Sequence, residues 1–144
     1  MEMSRMYQKM RDYRKALECN ELYAQNIINE NPSASAYASY DKGVIYYYLG
    51  LEARAGNNEE EAVNELNTAL KYLNDALESN LHMRGDLAID TIDNQEAIAD
   101  TYAALYRYSE AANAYTAALT MTEKLLGEGH PRVSAIKEKM KFRK

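Results

Sequence analysis

Leu66, Leu70, Leu73 and Leu77 recur at steps of four and three, with Ala62, Val63, Ala69 and Ala76 beside them. Steps of that size return to one face of an α-helix, whereas a half-buried strand needs an apolar residue at every second position. Two more stripes have the same spacing. Ala16, Leu17, Tyr23, Ala24 and Ile27 form one, and Ala111, Ala114, Tyr115, Ala118, Leu119 and Thr122 form the other. No stretch alternates with period two, and no Asn-Gly pair stands between β-branched runs. The chain is predicted to be all-α.

The breaks in the pattern are chemical. Asn31-Pro32-Ser33 ends one helix and starts another, because proline is tolerated only in a helix's first turn. Gly56-Asn57-Asn58 supplies a terminating glycine and a capping amide, and Glu59, Glu60 and Glu61 then place negative charge on the positive end of the next helix. Gly85-Asp86 and the run from Gly127 to Pro131 are further breaks, with shorter turns near Arg11-Asp12 and Tyr106–Ser109. Seven helices are expected, over about 1–10, 12–29, 33–55, 58–81, 87–106, 109–126 and 131–142.

Composition narrows the setting. With 144 residues, 47% of them hydrophobic, and only six glycines and two prolines, the chain can bury a core. Its aromatic set is thirteen tyrosines, one phenylalanine and no tryptophan, so most rings should lie at half-buried edges with the hydroxyl in water. The single cysteine, Cys19, has no disulfide partner in the chain and reads as a small buried hydrophobe. No apolar run approaches the roughly 20 residues of a membrane span, and MEMSRMYQKMR lacks a signal-peptide core. A cytoplasmic protein is expected.

Charge is unevenly placed. Residues 1–15 carry five basic and two acidic side chains, residues 132–144 six and one, and the stretch between them six and nineteen. Basic ends thus flank an acidic body, which disfavours nucleic acid and admits a basic peptide or self-association. Asp86, Asp90, Asp93, Glu96 and Asp100 form an acidic run at roughly helical spacing. It lacks the glycine-containing calcium-loop pattern and reads as a solvated face or a binding rim. His130, in Gly-Glu-Gly-His-Pro, has no nucleophile beside it in sequence and reads as a helix cap, with His82 as similar punctuation. No phosphate loop, zinc spacing or catalytic triad order is present, so neither an enzyme nor a cofactor is expected.

Three segments align with one another: MRDYRKALECNELYA (10–24), GNNEEEAVNELNTAL (56–70) and LYRYSEAANAYTAAL (105–119). Each has a turn and then an alanine, at 16, 62 and 111, where a hairpin's second helix can lie close to its first. The third copy, with Ala99, Tyr102, Ala111, Tyr115 and Ala118, resembles the tetratricopeptide repeat family in full. The second offers Gly50, Ala53, Ala62, Leu66 and Ala69, and the first Ser4, Tyr7, Ala16, Asn20 and Tyr23, a weaker likeness. TEKLLGEGHPRVS is similar to the longer repeats of kinesin light chains and their bacterial relatives. The alanines are 46 and 49 residues apart, against about 34 in the usual repeat.

The resemblance implies one domain over 1–144, an α-solenoid of about three helical hairpins with copies near 1–30, 33–81 and 87–126 and a terminal capping helix at 131–142. It also implies a non-enzymatic scaffold binding proteins or peptides, or else a sensory or regulatory module from a larger signalling or transcription protein. Carrying over the family's groove positions gives Val44, Tyr47, Tyr48, Leu51 and Arg54 in copy two and Asp93, Glu96 and Asp100 in copy three. No metal or membrane contact is expected. The family's chaperone-binding class uses Lys, Asn and Arg where this chain has Tyr47, Leu51 and Ala97, so that activity is not implied.

Overall fold

A computed structural model describes residues 2–27, 32–85 and 87–141. The expected break at Asn31, the acidic Asp86 and the basic residues Arg143 and Lys144 lie outside the described residues. Among the described residues the structure has seven α-helices and no strand: α1 Glu2–Lys9, α2 Tyr13–Ile27, α3 Pro32–Ala55, α4 Glu59–Arg84, α5 Ile89–Ala104, α6 Tyr108–Leu126 and α7 Pro131–Lys139. They fall into two compact units, Met1–Ser79 and Asn80–Lys144. Most helix ends lie within about two residues of the predicted ones. α4 runs three residues further, because His82, Met83 and Arg84 contain no breaker before Gly85, whose φ is +78°. His82 therefore sits inside the last turn of α4, where a basic group complements the helix dipole.

The repeat is visible in its turns. Arg11, Asn57 and Tyr106 have φ of 61°, 64° and 62°, a left-handed conformation that usually falls to glycine or asparagine. In each turn the next amide reaches back to a helix carbonyl: Asp12 N to Tyr7 O at 2.8 Å, Asn58 N to Ala53 O at 2.9 Å and Arg107 N to Tyr102 O at 2.9 Å. Asp12, Asn58 and Arg107 then accept at their carbonyls from the amides of Ala16, Ala62 and Ala111, the three aligned alanines, all fully buried. The same backbone device closes all three hairpins. Asn58 adds a side-chain cap, its Oδ1 accepting from Glu61 N at 3.1 Å.

Close approach follows. A Cβ on Gly43 would lie 2.6 Å from Leu73 Cγ, and one on Gly50 would lie 2.7 Å from Leu66 Cγ. The two glycines, seven residues apart, receive two leucines seven residues apart, so α3 and α4 mesh along a shared antiparallel seam. In the second unit Ala99, Ala111 and Ala118 are fully buried and Tyr115 nearly so, which closes the α5–α6 hairpin with alanines instead.

The weak first copy is built differently. Ser4 and Asn20, fully buried where the other copies have a small residue and a large apolar or aromatic one, turn toward Asp41 of α3. Ser4 Oγ lies 2.8 Å from Asp41 Oδ2 and 3.0 Å from Ala16 O, its one proton shared between them. Asn20 Nδ2 donates to Asp41 Oδ2 at 3.2 Å and to Ala38 O at 2.9 Å, and Gln8 Nε2 donates to Asp41 Oδ1 at 2.7 Å. A buried carboxylate with three side-chain donors takes the place of an apolar lock. Ile45 and Leu49, with Ala16, Tyr7, Tyr13, Leu17 and Tyr46, complete this core.

Gly50→Ala should cost about 1–3 kcal/mol, because Leu66 must leave its rotamer or the helices must part. Gly56→Ala, whose added carbon meets nothing nearer than 3.5 Å, should change stability by less than about 0.5 kcal/mol. Urea denaturation followed by circular dichroism compares the two, and equal effects would refute the close seam.

Candidate functional site

In the first unit, α1, the turn after it, the start of α2 and the second half of α3 surround an open cleft of about 650 Å³. Arg5, Gln8 and Lys9 reach it from one face of α1, Arg11 and Tyr13 from the turn and from α2, and Tyr48, Leu51, Glu52 and Ala55 from α3. Tyr13 and Tyr48 stack with ring centroids 5.5 Å apart and planes 9° apart, and Tyr47 meets Tyr48 edge-on at 5.3 Å. Tyr48 remains 39% exposed, so a second ring or an aliphatic chain can still reach it. Burial pushes the Tyr13 hydroxyl up from its ordinary pKa, against the pull of the Arg11 charge.

Of the residues carried over in copy two, Tyr48 and Leu51 thus line this cleft. Tyr47 braces Tyr48 from the side, and Val44 lies half-buried about one helical turn earlier. Arg54 is held across the hairpin turn: its Nε is 2.9 Å from Glu59 Oε1 and its Nη2 2.8 Å from Glu59 Oε2. That bidentate pair also holds the Glu59 carboxyl below its ordinary pKa.

In the second unit the three carried-over acidic residues share one face of α5, and α7 lies on it. Arg132 Nη2 is 2.8 Å from Asp93 Oδ1 and 2.9 Å from Glu96 Oε1. Lys139 Nζ is 2.5 Å from Glu96 Oε2 and 3.1 Å from Asp100 Oδ2, and the Tyr115 hydroxyl donates to the other Asp100 oxygen. Arg132 at the start of α7 meets the earlier carboxylates and Lys139 at its end the later ones, so α5 and α7 run parallel. Val133 and Ile136 of α7 are buried. His130 caps α7, its Nδ1 accepting from Arg132 N at 3.0 Å, and Pro131 fills the first helical position. The remaining described member of the acidic run, Asp90, meets Arg84 at 3.4 Å.

The carboxylates titrate differently. Burial alone would raise Glu96, but the hydrogen bonds and charges of Lys139 and Arg132 outweigh it and hold the group below its ordinary value. At Asp93 burial outweighs the bond from Arg132, and at Asp100 it outweighs Tyr115 and Lys139, so both are raised. Burial opposes the charge on Lys139, yet the bonds and charges of Glu96 and Asp100 raise it. Among the described residues no cluster of three or more His, Cys, Asp or Glu can hold a metal ion. No helix there is long and apolar enough to cross a membrane.

Sequence reasoning missed Arg5, Lys9, Arg11 and Tyr13 as one surface. The signal was present as a basic pair four residues apart on α1, but their meeting with Tyr48 and Leu51 depends on α1 lying beside α3. Residues 95–132, from within α5 through α6 to the start of α7, match the family model described as Tetratricopeptide repeat, and this segment is such a repeat. Among curated proteins none matches the chain.

Glu96 has a lowered folded-state pKa, so its contribution is present above its ordinary value of 4.5 and is lost as pH falls through the lowered one. Glu96→Gln should therefore cost about 1–2 kcal/mol at pH 7. The gap to the parent protein should close below pH 4.5, where the parent's own carboxyl takes up a proton. Urea titrations across the acid range measure it, and a gap independent of pH would show that α7 does not depend on this charge.

Proposed function

We propose that this chain, with its tetratricopeptide repeat at residues 95–132, is a non-catalytic module that binds a protein or peptide segment in the cleft between α1 and α3. Tetratricopeptide repeats in general carry protein-interaction roles, and the carrying observation here is local. A cleft of about 650 Å³ is wide enough for one side chain and its flanking backbone, and its floor is a stacked tyrosine pair next to Leu51. Rigid rings that are already stacked lose little entropy when they accept a ligand, which is why tyrosine so often anchors interfaces. Tyr48 and Leu51 make the contact in this reading, and Tyr47 holds Tyr48 in place. Asp93, Glu96 and Asp100, engaged by Arg132 and Lys139, serve to seat α7.

The test uses the full chain, fluorescently labelled, on an array of randomised peptides of about twelve residues. Tyr48→Ala should weaken binding to the peptides that the parent selects by at least about tenfold, a loss of roughly 1.4 kcal/mol typical of an interface anchor. Asp100→Asn should leave the same peptides bound within about twofold. Circular dichroism confirms that each variant stays folded. Equal retention by the parent and by Tyr48→Ala would place the binding surface elsewhere.

A further inference from the structure

The cleft's charge opposes that of the chain. The protein has a formal net charge of −5, yet the walls of the cleft carry Arg5, Lys9 and Arg11 against a single carboxylate, Glu52. The cations are exposed and spaced so as to reach one ligand. Arg5 and Lys9 stand one helical turn apart on α1, and Arg11 projects from the turn whose left-handed backbone breaks the helix before Tyr13. Arg5 Nη1 donates to the Tyr37 hydroxyl at 3.2 Å, a neutral acceptor. Among the described residues neither Lys9 nor Arg11 has an acidic side chain within ion-pair distance. The cations among and beside the other carried-over residues are engaged, Arg54 with Glu59 and Arg132 and Lys139 with the face of α5. Three exposed cations thus stand together at the mouth of an aromatic-floored cleft that carries one carboxylate.

We infer that the cleft's occupant is an acidic peptide segment of a partner protein. Asp or Glu side chains would meet Arg5, Lys9 and Arg11, and an adjacent apolar or aromatic residue would rest on Tyr48 and Leu51. This rests on the peptide-binding reading above and reverses the polarity that the acidic body of the sequence suggests, since the carboxylates behind that expectation are engaged within the second unit. The two kinds of contact divide the work. The rings supply apolar burial that salt leaves intact, whereas the exposed cations steer approach and select sign, an effect that weakens as the Debye length shrinks. Glu52 on the cleft's α3 side sets a limit to how far along the groove a ligand carboxylate can sit.

The experiment repeats the array with the parent, with Lys9→Glu combined with Arg11→Glu, and with Tyr48→Ala. A polyuridylate competitor is added in one arm. Peptides bound by the parent should be enriched in Asp and Glu next to Leu, Phe or Tyr, and raising salt from about 0.1 M to 0.5 M should weaken them severalfold without abolishing them. The double charge reversal should lose those peptides by more than tenfold and shift the enrichment toward Lys and Arg. Parent binders enriched in Lys and Arg would overturn the inference, as would acidic binders that the charge reversal retains. Peptides bound without charge preference yet lost on Tyr48→Ala would overturn the polarity alone and leave the peptide-binding reading standing. Competition by polyuridylate, with no dependence on the apolar residue, would show a general polyanion surface and overturn it as well. No bound peptide of any composition would overturn both readings.

Discussion

Where α3 and α4 cross, Gly43 and Gly50 offer no side chain, and Leu73 and Leu66 occupy the space that a Cβ would need. Ala62 and Ala69 extend the same contact from the other helix, both fully buried. Two helices at such close range leave no room between them for rings. The tyrosines of α3 are displaced to its flanks, Tyr46 stacking on Tyr72 at 5.8 Å and Tyr48 on Tyr13 at 5.5 Å. The aromatic surface that frames the cleft is thus a by-product of the tight seam on the opposite side of the same helix. A larger residue at Gly50 would disturb both.

The hairpin turns set the register of that seam. A left-handed residue at Arg11, Asn57 and Tyr106, followed by a bond back to a helix carbonyl, reverses the chain within three residues. Asparagine adopts this backbone readily, whereas arginine and tyrosine do so at a cost on the order of 1 kcal/mol that the packing of the hairpins must offset. At the first turn the strained residue also projects a guanidinium into the cleft, which links the backbone geometry directly to the charge of the site.

Most of the helical framework was legible, for local reasons. Glycine, proline and asparagine act on the residues next to them, so Gly56 to Asn58 and Gly127 to Pro131 could be read without a structure, and His130 as a cap needs only Arg132 two residues on. What escaped was long-range. Arg132 meets Glu96 across 36 residues and Gln8 meets Asp41 across 33, and neither spacing has a periodic signature. The acidic run on α5 looked available to a ligand because its partners lie on a different helix. The basic residues of α1 looked like an end effect because Tyr48 and Leu51, which complete their surface, lie more than thirty residues away.

The buried triad of Ser4, Asn20 and Asp41 bears on the order in which the hairpins follow one another. Apolar interfaces between repeats are forgiving, since one leucine seam accepts another of similar volume. A hairpin carrying Ser4 and Asn20 is not forgiving. Against a neighbour without a carboxylate at the height of Asp41, each would lose a bond to a charged acceptor, worth about 1–3 kcal/mol, and Ser4 would keep only its bond to Ala16 O. The first hairpin therefore meets the second through a polar match as well as an apolar one. Replacing the second hairpin by one without such a carboxylate would break the match even where every apolar contact survived. The hydrogen bonds that set copy one apart from the other two copies also fix the neighbour against which it packs.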